Sequence, residues 1–183
     1  MKILTGSLRG RLISFKPNPH LRPTADKTRK AIFDMLQGQL ENKNVLDLFS
    51  GTGALGFEAL SQGAGSVTFV EIDGSQGTVI KDNLSKLGLS RKSTVIIGNA
   101  IGAIEKLSRD KKEFGFIFMD PPYEMGMGQK AMAALAKSSI LNKDTLIVLE
   151  CRHSEDLPDL HENFTCLKDK LYGDTRILIY RRA

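Results

Sequence analysis

The 183-residue sequence predicts an α/β fold with a mostly parallel, seven-stranded sheet. Two observations carry this prediction. Short runs rich in branched and aromatic apolar residues alternate with helical sequence along most of the chain, which is typical of βαβ units and of a parallel sheet covered on both faces. The last two runs are separated only by a tight turn, so they should form an antiparallel hairpin. We therefore expect a Rossmann-like sheet that ends in a C-terminal antiparallel hairpin.

The N-terminal segment precedes this alternating pattern. Residues 3–15 contain two short apolar runs around a glycine-containing turn and are a candidate β-hairpin. Residues 17–24 contain three prolines and should be an extended connector, and a helix with apolar residues at helical spacing should follow. The sequence thus divides into an N-terminal basic extension, 1–43, and a main domain, 44–183.

Five strand candidates and a closing hairpin make up the main domain. Helical sequence separates the five candidates from one another, and the first intervening helix is expected at 54–61. The predicted strands are 45–49, 66–71, 94–97, 114–119 and 145–150, and the hairpin joins 164–171 to 175–180.

Composition limits the class of protein. Hydrophobic residues make up 41% of the chain and charged residues 26%, values that argue against a disordered or collagen-like protein. No apolar run approaches the ~18 residues of a membrane-spanning helix, and the N-terminus lacks the apolar segment of a signal peptide, so we expect a cytoplasmic protein without a membrane segment. The two cysteines and three histidines form no C-x-x-C or histidine cluster, and we expect neither a disulfide framework nor a metal site.

The formal net charge of +5 is unevenly distributed. The first 44 residues hold nine basic and three acidic side chains, whereas the rest holds 17 basic and 18 acidic ones. A basic segment joined to a near-neutral body indicates an anionic partner, most commonly nucleic acid, although a solvated basic face explains the same count.

A glycine-rich turn follows the first predicted strand. Gly51, Gly53 and Gly56 form G-x-G-x-x-G between a strand and a helix, a pattern that lets the backbone approach a ligand closely, although glycines are also ordinary turn residues. Glu71 lies 20 residues after Gly51, at the end of the second strand, where its carboxylate can accept hydrogen bonds from both hydroxyls of an adenosine ribose. This arrangement suits NAD and S-adenosylmethionine equally.

Asp47 separates the two cofactors. A carboxylate in the first strand would repel a pyrophosphate but can hold a cationic amino acid moiety, so S-adenosylmethionine is favoured. Asn99, just after the third strand, can accept from an adenine amino group or can instead cap the next helix. Such groups lie at the carboxyl ends of strands, where open α/β sheets bind ligands. The predicted cofactor-binding residues are Asp47, Phe49, Ser50, Gly51, Thr52, Gly53, Glu71, Ile72, Asn99 and Ala100.

The fourth predicted strand runs directly into an Asp-Pro-Pro-Tyr segment. Its prolines lack backbone donors, so Asp120 and the Pro121 carbonyl offer only acceptors, the pair needed to hold both N–H groups of an exocyclic amine. Positioning and electrostatics would then direct the amine lone pair toward a methyl group. Tyr123 can stack on a base that is extruded from its helix. An ordinary proline turn is the alternative. The predicted catalytic residues are Asp120, Pro121, Pro122 and Tyr123.

Together these segments resemble a known family, the bacterial small-subunit (16S) rRNA guanine-N2 methyltransferases of the RsmD type. The resemblance extends from Gly6 to Tyr180 and is carried by 47–56, 70–71, 120–123, 172–176, and 22–26 with Arg29 and Phe33. It implies a class I S-adenosylmethionine-dependent methyltransferase fold. It also implies methylation of the exocyclic N2 amine of one guanine in 16S rRNA, within the small ribosomal subunit or an assembly intermediate. By the same resemblance, 120–123 is the catalytic segment, Glu71 the ribose ligand and Asn99 the adenine contact.

The substrate contacts and the class of reaction retain alternatives. Solvated surface is the alternative for each arginine, and Arg22 or Arg29 can instead pair with Asp26. A DNA adenine-N6 methyltransferase is the closest functional alternative, because the same acceptors serve any exocyclic amine, although the chain leaves little room for a target-recognition domain. An NAD-dependent oxidoreductase and a noncatalytic RNA-binding module are further alternatives. The predicted RNA-binding residues are Arg9, Arg11, Arg22, Thr24, Arg29, Tyr172 and Arg176.

Overall fold

A computed structural model describes residues 1–17, 26–122, 126–154 and 163–183. The strands are β1 (Asn44–Asp47), β2 (Ser66–Glu71), β3 (Ser93–Ile97), β4 (Phe114–Met119), β5 (Leu141–Arg152), β6 (Phe164–Tyr172) and β7 (Thr175–Arg182). The helices are α1 (Asp26–Met35), α2 (Ala54–Ser61), α3 (Gly74–Lys86), α4 (Ala100–Arg109) and α5 (Met127–Ala136), with a short 3-10 helix at Ser90–Lys92. Within the described ranges, no helix is both long enough and apolar enough to span a membrane.

All seven strands form one sheet in the order β3-β2-β1-β4-β5-β7-β6. Strands β1 to β5 are parallel to their neighbours, while β7 is antiparallel to β5 and β6 is antiparallel to β7. The predicted fold class and the C-terminal antiparallel hairpin are therefore confirmed. Strand β5 begins four residues before its predicted start, because beyond an irregularity in the register Leu141 still pairs with Phe114.

The two faces of the sheet carry separate apolar layers. Successive side chains of a strand point to opposite faces, so Phe118 packs in one layer and Met119 in the other. The Phe33 ring of α1 packs on Phe118 with ring centroids 5.4 Å apart. On the same face α2 approaches β2 closely, because a Cβ added at Gly56 would lie 2.2 Å from the Phe69 ring.

The N-terminal hairpin is present but shorter than expected. A single antiparallel bridge joins Lys2 to Leu12. Pairing does not continue because the next backbone groups turn toward α2: the Leu4 and Thr5 N–H groups donate to the Glu58 carboxylate over 2.6 and 3.2 Å.

The chain after the hairpin lies along α3. The Asn83 side chain accepts from the Ser14 N–H over 3.0 Å and donates to the Ser14 carbonyl over 2.7 Å. The Lys16 N–H donates to the Gln76 side-chain oxygen over 3.0 Å. The extension and the main domain therefore share a polar interface.

Candidate active site

The polar residues singled out in the sequence lie at one edge of the sheet. Asp47 is the last residue of β1, Glu71 is the last residue of β2, and Asp120 directly follows β4. Because these strands are parallel, their carboxyl ends meet at the same edge. This is where open α/β sheets bind ligands.

The glycine-rich turn leaves open backbone at this edge. Gly51 and Gly53 have φ angles of 52° and 78°, which L side chains adopt rarely. A Cβ at Gly53 would also lie 2.9 Å from the Phe57 ring. The turn therefore depends on glycine both for its conformation and for its space.

Two side chains of the turn are engaged within the protein. The Ser50 hydroxyl donates to the Asp47 carbonyl over 2.8 Å and accepts from the Val70 N–H over 3.0 Å. Thr52 is buried, with its hydroxyl 3.9 Å from the Met1 sulfur. The two hydroxyls therefore contact other protein groups, as buried polar groups require, and the prediction that Ser50 and Thr52 bind the cofactor stays a prediction.

Glu71 joins the glycine turn to the end of β2. Its carboxylate accepts from the Gly51 N–H over 2.7 Å and from the Asp73 N–H over 2.8 Å. Burial raises the pKa of Glu71, while these two hydrogen bonds act in the opposite direction. A carboxylate has about four lone-pair sites, so capacity remains for ribose hydroxyls. Ile72 beside it is 74% exposed and offers apolar surface for an adenine ring.

Asp47 is a buried carboxyl group that favours a cationic ligand. It is only 1% exposed, and its Oδ2 accepts from the Gly56 N–H over 3.0 Å. Burial raises the pKa of Asp47 to about 7, and the charges of Asp120 and Glu71 add to this effect. Among the described residues no cation forms an ion pair with Asp47. A ligand with positive charge would supply the missing countercharge.

The remaining predicted cofactor residues lie around the same edge. Asn99 is the N-cap of α4, and its side-chain oxygen accepts from the Gly102 N–H over 2.8 Å. The helix-capping alternative is therefore present, although an amide oxygen retains a second lone pair for an adenine amino group. Ala100 is buried and Phe49 half-buried, and both pack in the apolar layer that contains Met119.

The proposed amine-binding segment begins at the same edge. Asp120 is partly buried, Pro121 is buried and Pro122 is exposed, whereas Tyr123 lies outside the described residues. The negative charge of Asp120 contributes to the raised pKa of both Asp47 and Glu150. The carboxyl groups at the ends of β1, β4 and β5 therefore interact.

Glu150 had no predicted role. It lies near the end of β5 and is 4% exposed. Burial, followed by the charge of Asp120, raises its pKa. The available signal was its place as the charged last residue of a predicted, otherwise apolar strand.

The prediction that Arg29 contacts phosphate is wrong. Its side chain is 1% exposed and pairs with the buried Glu58 over 3.2 Å and with Asp26 over 3.0 Å. It also donates to the Lys2 carbonyl over 2.9 Å. The alternative pairing with Asp26 is thus observed. Sequence reasoning missed Glu58, although a single charge within the apolar helix α2 was a signal for a buried partner.

Two residues near the C-terminus that were predicted to bind RNA also contact other parts of the protein. Arg176 donates to both carboxylate oxygens of Asp169 across the β6–β7 hairpin, over 3.0 and 2.7 Å, and its contact with RNA stays a prediction. Tyr172 is half-buried and packs on the apolar layer that contains Phe118.

The N-terminal arginines are divided between exposed and undescribed positions. Arg9 and Arg11 are exposed in the hairpin turn. This turn is held near the end of α2, where the Ser7 N–H donates to the Ser61 carbonyl over 2.8 Å. Arg22 and Thr24 lie outside the described residues.

The sheet order, the glycine turn and the carboxylates at its edge define an S-adenosylmethionine-dependent methyltransferase. The residues present fit this cofactor: Glu71 retains acceptor capacity, and Asp47 lacks a countercharge among the described residues. The chain belongs to the family described as Conserved hypothetical protein 95, which matches residues 1–181. The resemblance seen in the sequence motifs is confirmed.

Individual proteins support this assignment. The chain is 32% identical over 181 residues to Ribosomal RNA small subunit methyltransferase D of Haemophilus influenzae, covering 99% of this chain and 93% of that one. It is 28% identical to the solved structure of Escherichia coli yhhF, a candidate methyltransferase, with a TM-score of 0.85 and coverage of 100% and 97%. The crystal structure of SMU.776 with S-adenosylhomocysteine shares the fold alone, at 15% identity, a TM-score of 0.69 and coverage of 87% and 50%.

Proposed function

We propose that this protein methylates the exocyclic N2 amine of a specific guanine in the 16S rRNA of the small ribosomal subunit. The observation that carries the proposal is the position of Asp120 and Pro121, which leave β4 at the same edge as the glycine turn and Glu71. The relative named Ribosomal RNA small subunit methyltransferase D supports the choice of substrate.

The chain's own residues have three tasks in this reaction. Gly51, Gly53 and Glu71 hold the adenosine part of the cofactor, and Asp47 provides negative charge near its cationic part. Asp120 and the Pro121 carbonyl accept from the amine N–H groups and hold the nitrogen toward the reacting carbon.

When bound, S-adenosylmethionine would supply a methyl group activated by the positive charge of its sulfur, and the amine nitrogen would release one proton as it becomes methylated. Asp120 is the acceptor placed to take that proton and to pass it to water. Tyr123 would stack on the guanine after its extrusion.

The substrate is an assembled small-subunit particle or an assembly intermediate in the cytoplasm. Arg9 and Arg11 supply exposed positive charge on the extension, with Arg22 and Thr24 as further candidates. Each phosphate contact on single-stranded RNA should contribute a slope of about −0.7 to the dependence of log K on log salt.

The product distinguishes this proposal from its closest alternative. The protein should be incubated with labelled S-adenosylmethionine and, separately, with naked 16S rRNA, small-subunit particles and DNA, followed by nucleoside analysis. We expect N2-methylguanine from the particles. N6-methyladenine as the labelled product would overturn the guanine assignment, because Asp120 can hold either amine.

The role of Asp120 has a direct test. Asp120→Ala should lower methyl transfer by about 10²-fold or more, since a charged acceptor of the reacting amine is lost, while the affinity for S-adenosylhomocysteine stays within a few-fold. Asp110→Ala is the matched control, because Asp110 is exposed at the end of α4 and pairs with Lys106. Turnover of the Asp120 variant at the control rate would refute the assignment.

A further inference from the structure

Asp120 has a carboxyl neighbour on the adjacent strand. Met119 pairs with Leu149 in the parallel register of β4 and β5. The next residues are Asp120, which directly follows β4, and Glu150, which lies within β5, so the two residues are side by side.

The two carboxyl groups also share one face of the sheet. Phe118 pairs with both Asp47 and Val148 across the sheet, and paired residues of parallel strands point to the same face. Since side chains alternate along a strand, Asp120 and Glu150 lie two residues on, on this same face. Three carboxyl groups thus gather at the edge where the amine would bind.

Glu150 is more deeply buried than Asp120, and one of its oxygens is unsatisfied within the described part of the chain. The residue is 4% exposed, and its Oε2 has no hydrogen-bond partner among the described residues. Side chains grouped as metal ligands are also absent from the described part of the chain. The described surroundings therefore leave one Glu150 oxygen without a donor.

Among residues 1–17, 26–122, 126–154 and 163–183, the groups that face Glu150 from other elements do not neutralise it. Its partner on β7 is the apolar Ile177, and Arg176 lies on the opposite face in an ion pair with Asp169. Arg152, two residues further along β5, is exposed to solvent.

Helix α1 packs on the same face as Glu150 through Phe33. It brings Asp26 and Arg29 to this side, and Arg29 pairs with both Asp26 and Glu58. The charge nearest to Glu150 is therefore that of Asp120.

Two carboxyl groups side by side in a partly buried site cannot both ionise cheaply, and the more buried one retains the proton. We propose that Glu150 is a positioning residue for Asp120: it holds the one proton that this pair shares, so that Asp120 stays ionised and oriented as the acceptor of the substrate amine. This inference rests on the proposed role of Asp120 in amine methylation. The raised pKa of Glu150, caused first by burial and then by Asp120, agrees with it.

The pH profile of methyl transfer is the first test. Single-turnover rates should be measured with small-subunit particles and saturating S-adenosylmethionine for the wild type, Glu150→Gln and Glu150→Ala. As the pH rises, wild-type Glu150 loses its proton and the second negative charge repels Asp120, whereas a glutamine stays neutral. The ratio of the Glu150→Gln rate to the wild-type rate should therefore rise with pH, approaching about tenfold per unit above the Glu150 pKa.

The ratio cancels pH effects that both proteins share, such as ionisation of the substrate. Glu150→Ala should be slower than Glu150→Gln at every pH, because glutamine restores a neutral donor of similar volume. Glu105→Gln, an exposed change on α4, should keep the wild-type profile. A flat ratio, or equal rates for the alanine and glutamine variants, would overturn the inference.

The second test needs neither cofactor nor RNA. Infrared difference spectra of wild type minus Glu150→Gln at pH 7 should contain the carbonyl band of a protonated carboxyl group, and this band should disappear as the pH rises. Because the folded pKa of Glu150 is raised, the stability linked to its proton is complete below the unfolded pKa and is lost as the pH rises through the folded value. The melting temperature of Glu150→Gln minus that of the wild type should therefore increase with rising pH.

The two tests separate this inference from the proposed substrate. Total methyl transfer defines the rate ratio, so a product other than N2-methylguanine would refute the guanine assignment and leave the Glu150 result intact. Absence of the carbonyl band at pH 7 would refute the role of Glu150 whatever the product is.

Discussion

The buried ion pair between Arg29 and Glu58 connects the extension to the main domain. Among the contacts between these two parts, its loss should lower the stability of the protein most. Each side chain is 1% exposed, and the two groups lie 3.2 Å apart. Glu58 also accepts from the Leu4 and Thr5 N–H groups. The change Arg29→Met removes the cation and keeps an apolar side chain of similar length.

The expected destabilisation follows from the charge left behind. Removing one partner of a buried pair costs about 3–5 kcal/mol, because the other charge remains buried. The two backbone donors on Glu58 offset part of this penalty, so we expect about 3 kcal/mol. For a domain of this size each kcal/mol lowers the melting temperature by about 2–4 °C. Arg29→Met should therefore melt about 6–12 °C below the wild type.

Thermal unfolding followed by circular dichroism measures this change. The matched control is the double variant Arg9→Met, Arg11→Met, which removes cations from the exposed turn. Its stability should stay within about 0.5 kcal/mol of the wild type, while its affinity for rRNA and the salt dependence of that affinity fall. Adding Glu58→Gln to Arg29→Met should recover part of the lost stability, since the unpaired charge is removed.

The opposite pattern would refute the reasoning. If Arg29→Met melted like the wild type and weakened rRNA binding as the double variant does, Arg29 would be a phosphate contact at the surface. The charge of the extension would then act entirely on RNA.

Two further predictions concern the cofactor edge. Gly56→Ala should lower the free energy of unfolding by about 1–3 kcal/mol, because its Cβ would lie 2.2 Å from the Phe69 ring. Combining Gly56→Ala with Phe69→Leu should recover part of this loss. Equal melting temperatures of the single variant and the wild type would contradict the close approach. In calorimetry, S-adenosylmethionine should bind the wild type more tightly as the pH rises through about 7, since Asp47 then ionises. Asp47→Asn should lack this gain in affinity. If affinity depended on pH in the same way in both proteins, Asp47 would be excluded as the titrating group.

The sequence predicted regular elements best where burial on both faces dominates. The bounds of β2, β4 and α2 agree with the predictions to the residue, because their apolar runs end abruptly at polar or glycine residues. The start of β5 was missed because Leu141 joins the sheet through its register with Phe114, which no local pattern encodes. Likewise, the N-terminal hairpin was predicted too long, because backbone donors that a hairpin would pair are taken by Glu58.

The candidate site was predictable to the extent that topology alone places it. Asp47, Glu71 and Asp120 follow parallel strands, so their convergence required only the rule that ligands bind at carboxyl ends. Burial and pairing depend on residues distant in sequence. For this reason the internal role of Arg29 and the position of Glu150 beside Asp120 became visible only in the folded chain.

In the fold, part of the excess positive charge of the extension is paired within the protein. Arg29 forms a buried ion pair with Glu58, and Lys30 pairs with Asp34 on the surface of α1. The exposed Arg9 lies near the end of α2, whereas the glycine turn lies at its start. An eight-residue helix rises about 12 Å, so an RNA that touches both Arg9 and the catalytic edge must extend at least that far along the protein. An rRNA segment of several nucleotides meets this requirement, whereas an isolated nucleotide does not.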